Sequence, residues 1–124
     1  MDICKTITVA AAAILFMASA PDDGDKSLKS ELTTITADGI TIYGEEYSIG
    51  VPGDAPAILL FHQAGSNGRG EYKNIIPWLN GLGYRVYAWD QRAGGGHFGS
   101  ENRTVKNMPE GTPNSYCDAR PDLQ

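Results

Sequence analysis

The chain has 124 residues, room for one small domain, and its ten basic and fifteen acidic side chains give a net charge of −5. No basic cluster follows the spacing of a phosphate backbone, which disfavours nucleic acid as a partner and leaves the acidic balance as a solvated surface. His62 and His97 stand apart without supporting ligands at a metal-binding spacing, so neither a metal nor any other cofactor is expected.

Residues 1–20 have the layout of a secretory signal peptide. Lys5 precedes an apolar run from Ile7 to Met17, and Ala18-Ser19-Ala20 supplies the small residues a peptidase accepts. Asp2 weakens the basic start, and Pro21 hinders cleavage directly after Ala20; an uncleaved anchor or a buried amino-terminal helix are the alternatives. The run is shorter than the ~20 residues of a membrane helix, so no stable span is expected and the location reads as secreted or periplasmic. No Cys follows the run to carry a lipid. Cys4 belongs to the signal, which leaves Cys117 as the single thiol, a small apolar filler rather than a nucleophile.

Residues 21–31 are polar and aperiodic and read as a linker, with the folded domain over 32–124. Leu32–Thr36 and Ile40–Tyr43 flank Ala37-Asp38-Gly39, two β-branched runs around a tight-turn pair that predict a hairpin. The second strand is expected to resume through Glu46–Ile49 after an interruption at Gly44. Gly50–Pro56 is a turn cluster, and Ala57-Ile-Leu-Leu-Phe61 is a short apolar run of the kind buried in parallel sheets.

Ala64–Gly70 reads as a loop. Tyr72, Ile75, Ile76, Leu79 and Leu82 recur at helical spacing, with Pro77 forcing a kink or a restart and Gly83 placed to end the helix. Tyr84–Asp90 is the next strand. Strand, helix and strand make a βαβ unit, whose crossover is expected to be right-handed. From Gln91 to Gln124 the chain is rich in Gly, Asn and Pro and predicts a long loop, with a helix only starting at Pro121-Asp122-Leu123.

Three local patterns carry possible chemistry. Gly94-Gly-Gly-His-Phe-Gly99 fits the dinucleotide glycine pattern, but Ser100–Pro109 is a poor helix to hold a pyrophosphate, so a flexible loop is the better reading. Ala64-Gly-Ser-Asn-Gly68 resembles a nucleophile elbow, and Ser66, Asp90 and His97 follow in the order of a compact triad. Against it, Ser66 lies beyond the strand end, and Asp90 and His97 share one short loop. His62-Gln63 closes the apolar strand, where the N–H of Gln63 or Ala64 points toward the carboxyl edge of the sheet and could hold a developing oxyanion. Asn102-Arg-Thr104 is a glycosylation sequon.

Together these residues resemble the amino-terminal portion of the α/β-hydrolase superfamily, in its dienelactone-hydrolase and esterase-like branch. His62-Gln-Ala-Gly-Ser-Asn67 is similar to the oxyanion loop after the third strand, Tyr72–Gly83 to the first helix, and Arg85–Arg92 to the fourth strand and its Asp-x-Arg-Gly turn, with Ala93 intervening before Gly94. The resemblance spans Thr34 to Arg103 and implies an incomplete α/β fold, a β-hairpin followed by a βαβ unit. It implies a serine-type hydrolase acting on ester or related acyl bonds of small molecules. Gln63, or less directly Ala64, takes the oxyanion role, while His62, Asp90 and Arg92 wall or brace the site. The family's Ser, acid and His come later, so the 124 residues alone are expected to be inactive. In that family the third strand lies between the fourth and the fifth, so Ala57–Phe61 is expected to form an open edge prone to self-association. The competing reading is a secreted, non-catalytic binding module that recruits a partner through that edge.

Overall fold

The structure, a computed structural model, describes residues 29–123. The signal peptide, Cys4 and the first part of the linker lie outside the described residues. Four strands, β1 (Lys29–Ile35), β2 (Thr41–Tyr47), β3 (Ala57–Phe61) and β4 (Arg85–Asp90), form one mixed sheet in the order β1-β2-β4-β3. Three short helices, α1 (Gly68–Tyr72), α2 (Ile76–Gly81) and α3 (Arg103–Asn107), and a 3-10 helix at Tyr116–Leu123 complete it. The arrangement is of the α/β kind.

β1 and β2 form the expected antiparallel hairpin, with Ile35 opposite Thr41 and Gly39 at a φ of 83°. Its first strand starts at Lys29 rather than Leu32, so residues 29–31 leave the linker and join the sheet. β2 runs unbroken through Gly44 and stops at Tyr47, not Ile49. Gly44 is required by a neighbour: a Cβ there would lie 2.5 Å from the Trp89 ring of the paired strand.

β3 pairs with β4 in parallel, and the segment between them is helical in two pieces. The helix starts at Gly68, inside the expected loop, because Asn67 caps it by accepting from the Gly70 N–H at 2.7 Å. Pro77 sits in the first turn of α2, where its missing N–H leaves no bond unmade, so the chain restarts instead of kinking. Gly83, at a φ of 90°, ends that helix. Ile76 and Leu79 of α2 pack on Val86 and Ala88 of β4, with Tyr47, Ile58, Leu60 and Tyr72 around them.

This helical packing lies on the face that Val86 and Ala88 present. Val86, Ala88 and Asp90 alternate inward along β4, whereas Leu59 of β3 is 57% exposed. The expected loop beyond Asp90 also corrects: it holds α3, capped by Asn102, and the 3-10 helix begins at Tyr116, five residues before Pro121. Cys117 is exposed on that helix, so it fills no core.

Candidate functional site

The carboxyl ends of β3 and β4 converge with the loops that follow them. The Gly65 N–H donates to the Ala93 carbonyl at 2.8 Å, and the Gly95 N–H donates to the Ser66 carbonyl at 2.8 Å, which ties the two loops together. Glycine is needed where they touch. A Cβ on Gly95 would lie 2.7 Å from the Gly65 oxygen, and one on Gly94 would lie 1.8 Å from Nδ2 of Asn102. The glycine run after β4 allows a close approach of backbones.

His62 is 4% exposed and both ring nitrogens are used. Nε2 accepts from the Gln91 N–H at 2.8 Å, which makes Nδ1 the protonated nitrogen, donating to the Gln63 carbonyl at 2.7 Å. Nδ2 of Asn102 also lies 3.2 Å from Nε2. The imidazole thus joins the end of β3 to the start of the loop after β4. It is a tie in the wall of the site.

Asp90 is fully buried beneath the starts of two helices. One carboxylate oxygen accepts from the Gly68 N–H at 2.8 Å, at the first residue of α1. The other accepts from the Arg103 N–H at 3.0 Å and its Nε at 3.2 Å, at the first residue of α3. Helix starts leave N–H groups without intrahelical partners, and a carboxylate satisfies two at once while favouring both dipoles. Arg103 continues the charge chain to Glu45 at 3.3 Å and Glu31 at 2.9 Å.

Arg92 is also buried and clasps two distant segments. Its guanidinium meets Asp38 of the hairpin turn at 2.6 Å and Asp122 of the 3-10 helix at 2.7 Å. The Asp38 carboxylate, then Asp122, holds the guanidinium proton more tightly than usual despite burial. In return Arg92, helped by the Thr36 hydroxyl, holds the Asp38 carboxyl well below the ordinary carboxylate range.

The compact triad is not assembled. Ser66 is 0% exposed and its hydroxyl has no hydrogen-bond partner, Asp90 is spent on Gly68 and Arg103, and His97 stands exposed with its ring edge against Phe98. A buried hydroxyl without a base is no nucleophile.

Gln63 and Ala64, by contrast, are exposed at the carboxyl end of β3. The Gln63 N–H points at the Glu71 carboxylate, 3.2 and 3.4 Å away. A backbone donor at this edge already faces an anionic oxygen.

Sequence reasoning missed Asn67, Asn102 and Glu71. Asn102 reads as a sequon but is buried at 3% exposure, donating to the Gln91 carbonyl at 2.8 Å and the Ser66 carbonyl at 3.2 Å while its oxygen caps α3. It is closed to a glycan in the folded chain. The available signal was Asn three residues before Val105, the spacing of a helix cap. Among the described residues no His, Cys, Asp and Glu group is arranged to hold a metal ion, and no helix is long and apolar enough to cross a membrane. Comparison with family models, with curated proteins and with solved structures returns no match.

Proposed function

We propose that this chain carries the oxyanion side of a serine-type α/β-hydrolase site, with the Gln63 N–H as the donor to the developing charge of an ester or related acyl substrate. The observation that carries the reading is the exposed Gln63 N–H at the carboxyl end of β3, facing the Glu71 carboxylate at 3.2 Å. The Gln63 N–H bonds the Glu71 carboxylate here, so it serves an oxyanion only once that side chain swings off it, after which a preorganised N–H contributes about 3–4 kcal/mol. The sheet order adds support, since β4 lies inside and β3 outside, as the resemblance requires.

In this reading His62, Asp90 and Arg92 are positioning residues. His62 holds the strand end that presents Gln63, Asp90 seats α1 and with it Glu71, and Arg92 clasps the outer loops. The attacking Ser, its base and the supporting acid are supplied by residues other than the buried Ser66, the committed Asp90 and the exposed His97.

A fluorophosphonate probe tests the assignment of roles. We expect no covalent labelling of the 124-residue chain and no hydrolysis of p-nitrophenyl esters above background; labelling at Ser66 would revive the compact triad and overturn it. The superfamily reading has its own test in the nucleotide sequence after codon 124. A Gly-x-Ser-x-Gly pattern followed by an acid and a His, in any frame, supports it; their absence leaves the chain as a non-catalytic module.

A further inference from the structure

We propose that the cleft between the end of β2 and helices α1 and α2 binds a small amphipathic carboxylate. Arg69 and Lys73 hold its anionic head, and its apolar body lies on Tyr47, Ile76 and Pro77. The cleft has a volume of about 350 Å³, toward the lower end of small-molecule sites. β4 separates β2 from β3 in the sheet, so a strand added beside β3 leaves these walls as they are. Gln63 is not among the lining residues, so binding here is independent of the hydrolase reading.

Charge selects the head group. In a chain of net charge −5, three cations meet here: Lys29 of β1, Arg69 of α1 and Lys73 directly after α1. Lys29 is already neutralised, 3.2 Å from the buried Glu45 and with its ammonium 5.7 Å from the centre of the Tyr47 ring. The other two are not. Among the described residues the Arg69 guanidinium donates at 2.9 Å to the Glu101 carbonyl, a neutral acceptor, and Lys73 has no hydrogen-bond or ion-pair partner. Arg69 and Lys73 stand four positions apart on one helix face, a spacing at which like charges weaken a helix. A carboxylate bound by both relieves that repulsion and accepts charge-assisted hydrogen bonds from each.

Beside the cations the walls turn apolar. Ile76 is 3% exposed and belongs to the core, and Pro77 has no N–H. The Tyr47 hydroxyl is committed to the Glu45 carboxylate, which leaves its ring as the contact surface. Such walls suit an alkyl or aryl body, which favours a hydrophobic acid over inorganic phosphate.

Titration of the purified, isotope-labelled chain with octanoate, followed by amide chemical shifts, tests this. We expect saturation with a Kd below about 1 mM, the largest shifts at Tyr47, Arg69 and Lys73, and weakening as salt is raised. Acetate lacks the tail, octanol lacks the charge and phosphate lacks the body; each should bind at least about tenfold more weakly. Lys73→Gln, at an exposed position, should keep the fold and weaken octanoate at least about threefold, and Lys73→Arg should retain binding. Failure to saturate, acetate, octanol or phosphate binding as tightly as octanoate, shifts centred outside the cleft, or unchanged affinity in Lys73→Gln each overturns the site. So does binding that emerges only after Asp22→Asn, Asp23→Asn and Asp25→Asn together, which would identify the chain's own acids as the occupant.

Discussion

Arg92 illustrates how a single side chain holds remote segments together. Asp38 and Asp122 come from opposite ends of the described chain, and a buried guanidinium stays paired only while both carboxylates remain ionised. Because Asp38 loses its proton more readily when folded than when unfolded, its stabilising contribution is complete above about pH 4, the ordinary unfolded carboxylate range. It is lost as the pH falls through the lower folded value. We therefore expect Asp38→Asn to lower the urea midpoint at neutral pH and to flatten the fall of that midpoint on acidification below about pH 4. Urea titrations of both chains from pH 7 downward check this, and parallel acid limbs would show that Asp38 is not the coupled group. His62 and Asn102 follow the same logic with neutral groups. Each is buried with its polar atoms committed, which is how the chain tolerates them in the interior.

At the scale of elements, close approach rather than propensity explains the glycines that matter. Gly44 lies in the middle of β2, a position that weakens a strand, yet the Trp89 ring of β4 occupies the space a side chain would take. Gly44→Ala forces that ring or the β2–β4 pairing to move. We expect a loss of about 1–3 kcal/mol in urea unfolding, with altered Trp fluorescence in the folded state. A change below about 0.5 kcal/mol would mean that the ring swings aside freely. The helices make a parallel case. α1 and α3 are five residues each, too short to persist alone, and they exist because Asn67, Asn102 and the shared Asp90 carboxylate take up their first N–H groups.

At the scale of the whole molecule, the buried apolar core among the described residues is small: Ile42, Val51, Ile76, Leu79, Val86, Ala88, Ala93 and Ala119. Five of these eight are Val or Ala, so the core is marginal by size alone. The sequence by itself determined what neighbouring residues decide: the hairpin at Asp38-Gly39, the strand-helix-strand order, the interruption of the helix at Pro77 and its stop at Gly83. Turn geometry, periodicity and the missing N–H of proline act within a few residues, so they are legible locally. Tertiary structure alone decided that the sequon Asn102 is a buried cap reaching Ser66, 36 positions earlier, and that Ser66 is shut away from any base. Those outcomes depend on which distant backbone groups a polar side chain meets, and such partners leave no local pattern to read.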